Sequence, residues 1–222
     1  MEKIFFGLLG LGAMLISLTV HEFSHALASF LLGDETARRA GRLTLNPAAH
    51  IDPIGTLLIP AIGAMSGLPV MGWAKPVPFN PYNLKFHKWG PVIVALAGPI
   101  SNFIGAAFYL AMIRVCLFVF HLPVTNLLIL FLTILAAVNI VLGVFNFFPV
   151  PPLDGSNLLK ALLDHPKHHQ TLFFLETKGP MILFAIIILD FMSPVPFLGT
   201  LFGSAINFAF NLAGMPSALG MF

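Results

Sequence analysis

From Thr125 to Phe148 the chain runs TNLLILFLTILAAVNIVLGVFNFF, 24 residues without a charge. About 20 apolar residues in helical conformation match the hydrocarbon thickness of a bilayer, and in lipid every backbone polar group needs an internal partner. Two other long runs, 4–32 and 91–120, are of similar apolar character. The expected architecture is therefore an all-α polytopic membrane protein built on three long helices. Composition agrees: 58% of residues are hydrophobic and 9% charged, where a soluble domain carries about a quarter charged, and the mean hydropathy is +0.93. The lipid bilayer is thus an expected partner. A net charge of +2 with no basic cluster excludes a nucleic-acid partner. The one cysteine, Cys116, excludes an intramolecular disulfide and a cysteine-rich metal site. The first apolar run continues past His25 to Leu32, too long for the core of a cleaved signal peptide, so a retained spanning helix is expected.

The chain reads as a single domain over 1–222. Core helices are expected at about 4–32, 91–120 and 125–148, with an insertion at 33–90 and C-terminal apolar segments within 172–213. Within the insertion, 54–68 is apolar but only 15 residues long and is interrupted by Pro60. That is short of a full span, which points to a re-entrant or short buried segment. The following stretch, rich in Pro, Gly and Asn, is expected to be irregular or short strand. Loops 33–53, 69–90 and 149–179 carry nine of the eleven lysines and arginines. If 54–68 does not cross, all three share one face, which the positive-inside rule makes cytoplasmic. Arg114, near the far end of its helix, is expected to snorkel to the headgroups.

Polar residues interrupt the first run at His21-Glu22-Phe23-Ser24-His25, an H-E-x-x-H sequence. Helix positions four apart differ by about 40° around the axis, so His21 and His25 share a face. That spacing suits two imidazole ligands to one zinc, with Glu22 beside them to take a proton from water. Ionisable groups within a spanning helix are costly and mark function. A catalytic zinc takes three protein ligands, and Asp154 in PVPPLDG stands after the third long run. The same Pro-Pro-x-Asp-Gly stretch also has the chemistry of a helix-terminating turn.

HEFSH, ALAGPISN and NFFPVPPLDG, in that order and on those runs, closely resemble the motifs of the site-2 proteases, intramembrane zinc metalloproteases of peptidase family M50. The likeness covers about residues 1–165. GRLTLNPAAHIDPIGT and GWAKPVPFNP resemble the short branch without a PDZ domain. The resemblance implies one Zn2+ per chain held by His21, His25 and Asp154. It also implies Glu22 as general base and Asn146 as a group that steadies the oxyanion or substrate. It implies transmembrane protein substrates and a multi-pass place in a prokaryotic cell membrane, with the active site toward the cytoplasm.

For His21, His25 and Asp154 to meet, helices 4–32 and 125–148 must run parallel, with 91–120 antiparallel between them. The insertion must then begin and end on one face. A substrate helix hides its carbonyls in hydrogen bonds, so hydrolysis requires local unwinding, and segment 41–83 is expected to offer an edge for the unwound strand. Other readings are a metal transporter using the histidines as a relay, or a proteolytically inactive zinc-binding scaffold. A protease of the prenyl-peptide type, with a downstream glutamate ligand, has only Glu176 to draw on after position 35.

Overall fold

A computed structural model describes residues 2–59, 62 and 72–215. The long helices are α1 (Glu2–Leu31), α3 (Gly90–Phe118) and α4 (Leu127–Asn146). Thr36–Arg39 forms a one-turn helix α2, and Ser156–Leu162 forms α5. The C-terminal part holds α6 (His169–Met192) and α7 (Phe197–Leu212). By length and composition α1, α3, α4 and α6 can cross a membrane, while α7 is shorter. The polar stretch 156–178 therefore includes the first turns of α6 as well as a surface segment.

Side-chain pairs fix the helix directions. His25 meets Val94 and His21 meets Asn102, so α1 and α3 are antiparallel. A Cβ on Gly105 would lie 3.1 Å from Asn139 Oδ1 and one on Gly143 would touch the Phe103 ring at 2.8 Å, so α3 and α4 are also antiparallel. Ser17 meets Asn139 and His21 meets Asp154, which makes α1 and α4 parallel.

The buried stripe of α1 is small and polar. Ala13, Ser17, His21, His25 and Ser29, four residues apart, are all buried, whereas Phe6, Leu8 and Leu31 are exposed. This inverts the pattern of a soluble helix, because lipid solvates the apolar face and polar groups seek partners between helices. Away from the stripe the core is apolar, with Ile113, Ile129, Ala136 and Phe210 of α3, α4 and α7 packed together. Arg114 does not simply reach out to headgroups. Its Nη1 donates to Ala213 O at the end of α7, 2.7 Å away.

The insertion begins and ends at one end of the helix layer, where Lys85 N–H donates to Leu32 O at 3.0 Å. Asn46-Pro47, Asp52-Pro53 and Asn80-Pro81 each start a short helical turn, with the Asn or Asp side chain accepting from the amide two residues on. These are a 3-10 turn at Pro47–Ala49, a π turn at Pro53–Leu58 and a 3-10 turn at Pro81–Asn83. The short-strand alternative is not realised among the described residues. Residues 72–80 form no regular element, and Pro76 and Pro78 lack the donors a ladder needs. Of the expected re-entrant segment 54–68, residues 60, 61 and 63–68 lie outside the described residues.

Candidate metal centre

His21 and His25 occupy adjacent turns on the inner face of α1, about two-thirds along it. Asp154 reaches them from the loop after α4. That loop folds back because Gly155 N–H donates to Asn146 O at 2.8 Å. A Cβ at residue 155 would lie 2.3 Å from Phe147 O, so only glycine permits this return. The Nε2 atoms of His21 and His25 are 3.0 Å apart. Asp154 Oδ2 lies 3.1 Å from His21 Nε2 and 3.4 Å from His25 Nε2. Among the described residues this is the cluster of His, Cys, Asp or Glu able to hold a metal ion. The histidines at 165, 168 and 169 do not form another.

The hydrogen bonds on the far side of each ring test whether a cation belongs here. His25 Nδ1 faces Val94 O at 2.7 Å, and a carbonyl only accepts, so Nδ1 carries the proton. His21 Nδ1 faces Asn102 Oδ1 at 2.5 Å. Both Nε2 atoms of the neutral rings thus point bare lone pairs at each other and at a carboxylate oxygen. Three Lewis bases converging with outward-facing donors fit a metal ion.

Room for the imidazoles comes from Gly98 of α3. A Cβ there would sit 2.4 Å from His25 Nε2 and 2.7 Å from His21 Cε1. Glu22 is buried at 8% exposure, and no described residue hydrogen-bonds its carboxylate. Asn146 lies at the end of α4, where its Nδ2 donates to Leu142 O at 3.1 Å. Its side chain makes no hydrogen bond to the His–His–Asp cluster.

Around the centre, the insertion is tied by Arg42, which is 4% exposed. Its guanidinium donates to Lys75 O and, at 3.2 Å, to Pro76 O, and stands 3.4 Å from His50 Nδ1. Burial lowers the Arg42 pKa, only partly offset by the charge of Glu22. His50 orders the same loop through Nε2 and Thr44 O at 2.8 Å.

The motifs do not single out Gly155, Ser17 or Asn139; in ALAGPISN they point to Gly98 and Pro99 as allowing close helix contact or a local kink, and leave Asn102 open between a helix partner and the cavity. The signal for Ser17 is its place four residues before His21. For Asn139 it is an amide in an otherwise apolar run.

The sequence model of Peptidase family M50 matches residues 121–189. The chain is 34% identical over 212 residues to "Putative zinc metalloprotease YwhC" of Bacillus subtilis, covering 94% of this chain and 88% of that protein. It is 28% identical to "Putative zinc metalloprotease Rip2" of Mycolicibacterium smegmatis, covering 96% and 76%. The Mycobacterium tuberculosis protein of that name is 29% identical, covering 92% and 74%. No solved structure gives a significant match.

Proposed function

The chain belongs to peptidase family M50 and is a zinc metalloprotease of the membrane, and from that premise we propose that it cleaves peptide bonds within or near transmembrane segments of other membrane proteins. The observation that carries this reading is the convergence of His21 Nε2, His25 Nε2 and Asp154 Oδ2 inside a layer of apolar helices. His21 lies ten residues before the end of α1, about 15 Å at 1.5 Å per residue. That is about half the thickness of the hydrocarbon layer.

In this reading His21, His25 and Asp154 would hold the zinc. When bound, zinc supplies a Lewis acid that polarises a carbonyl and makes water a nucleophile near neutral pH. Glu22, whose carboxylate takes no hydrogen bond from the described residues, would accept the proton of the attacking water and pass it to the leaving amine. Asn146 uses one amide hydrogen on Leu142 O and would have the other to offer a developing oxyanion. An apolar groove of about 500 Å³ between Phe103, Val144, Phe147 and Phe197 adjoins Asn146 in sequence and suits an unwound apolar substrate segment. Basic residues of the insertion, and of the loop after α4, flank the end of the layer where α1 and α4 finish. The positive-inside rule then supports a site toward the cytoplasm, and the bacterial relatives support a prokaryotic cell membrane.

The test is bound zinc and cleavage of a panel of single-span substrates, in wild type, Glu22→Gln and Asp154→Ala. Zinc kept in Glu22→Gln, reduced in Asp154→Ala, and cleavage lost in both is the expected outcome. Wild-type zinc in Asp154→Ala removes the third ligand. Cleavage retained in Glu22→Gln removes the base, and zinc-loaded wild type that cuts nothing favours the scaffold.

A further inference from the structure

A chain of buried hydrogen bonds leaves the metal centre and runs through three helices. His21 Nδ1 faces Asn102 Oδ1 at 2.5 Å. Asn102 Nδ2 donates to Asn139 Oδ1 at 2.9 Å. Asn139 Nδ2 donates to Ser17 Oγ at 2.7 Å and to Leu135 O at 2.8 Å. Ser17 Oγ donates to Ala13 O at 2.8 Å. Asn102, Asn139 and Ser17 are each at most 2% exposed, so none can turn to water instead.

The direction of every bond follows from its far end. The carbonyls of Ala13 and Leu135 lie in helices and only accept. Ser17 therefore gives its proton to Ala13 O and presents a lone pair to Asn139. Two acceptors, Ser17 Oγ and Leu135 O, then demand the NH2 end of Asn139, which leaves its Oδ1 toward Asn102. Asn102 must answer with its own NH2, so its Oδ1 faces His21. A carboxamide has no second protonation state near neutral pH, so the polarity cannot reverse by moving a proton.

We propose that Asn139, acting through Asn102, is a positioning residue that locks His21 as the Nδ1–H tautomer with a bare Nε2 for zinc. This rests on the reading of His21, His25 and Asp154 as the zinc ligands. The neighbouring ligand achieves the same end with a backbone carbonyl, Val94 O. His21 has no such carbonyl and borrows its polarity from carbonyls of α1 and α4, relayed by two amides. Outer groups of this kind fix ring orientation, and losing them costs about 10–100-fold in metal affinity.

Zinc affinity of the purified full chain is measured by competition with a chromophoric chelator, alongside the unfolding temperature of the zinc-free protein. Asn102→Leu is expected to weaken zinc binding about 10–100-fold and Asn139→Leu about tenfold. Asn102→Asp keeps an acceptor toward His21 and recovers most of the affinity. Asn139→Leu adds no further loss in the Asn102→Leu background. Leucine variants that unfold more easily yet bind zinc as wild type does would make the amides packing groups only, and the proposal wrong. His25→Ala separates this failure from failure of the zinc-ligand reading. Wild-type affinity in His25→Ala removes the site and the relay with it, while loss there with both asparagine variants unaffected removes the relay alone. One measurement needs no variant. In zinc-free wild type, imidazole 15N shifts are expected to report Nδ1–H at His21, and the Nε2–H tautomer overturns the proposal.

Discussion

At the scale of single residues, the centre depends on side chains that are missing. Gly98 lets two imidazoles lie against the backbone of α3, and Gly155 lets the Asp154 loop touch the end of α4. Gly98→Ala sets two effects against each other. Alanine is the better helix former by about 1 kcal/mol, yet its Cβ would occupy the space of His25 Nε2, 2.4 Å away. Flexible tips could move aside, but these rings are pinned by Val94 O and Asn102. The expected result is zinc affinity lower by about tenfold or more in a protein that keeps its helix content. Chelator competition and circular dichroism on the same sample check it, and unchanged affinity would mean the rings have more freedom than their hydrogen bonds imply.

At the scale of elements, Asp34 joins the end of α1 to the start of α3. Its Oδ1 accepts from Thr36 N, Thr36 Oγ1 and Asn83 Nδ2, and its Oδ2 accepts from Asn80 N at 2.7 Å. Burial alone would raise its pKa, but the donors of Thr36, Asn83 and Asn80 prevail and hold it below the ordinary 3.8. A carboxyl with a depressed folded-state pKa contributes stability above its unfolded value, lost as pH falls through the folded one. This junction is therefore expected to be at full strength above about pH 4 and to loosen only below it. Limited proteolysis of the 33–90 insertion against pH reads that loosening. Asp34→Asn turns one acceptor into a donor facing N–H groups, and is expected to cost about 1–3 kcal/mol. Cleavage of the insertion should then begin at neutral pH, and resistance equal to wild type would assign the junction to other contacts.

At the scale of the whole molecule, the proposed zinc ligands tie α1 to the loop after α4, while α3 supplies the outer hydrogen bonds to both rings. Binding to the folded form alone stabilises it by about 2.7 kcal/mol when free zinc is a hundredfold above Kd. For a chain of this size that corresponds to about 5–10 °C in unfolding temperature. Chelation should lower the wild-type Tm by that amount and leave Asp154→Ala nearly unmoved. An equal drop in both would mean that the stabilising metal sits elsewhere. By contrast Gly179, set against Pro151, is the only buried residue of α6 among those described, so the contribution of α6 to this coupling is small.

Much of this was legible from residue order. Long charge-free runs specify spanning helices because lipid offers backbone groups no other partner, and H-E-x-x-H places two imidazoles on one face because of the helical repeat. The basic loops and the need for three groups to meet already implied parallel outer helices around an antiparallel one. Sequence could not decide whether Asp154 ended a helix or joined the histidines. That depends on a 2.8 Å contact between Gly155 and Asn146 O. Nor could it decide what Asn102 faces, or that Asn139, 37 positions on, lies behind it. Helical periodicity is local and survives in one dimension. The polarity of a buried hydrogen-bond chain exists only once three helices are close enough for each donor to have a single acceptor.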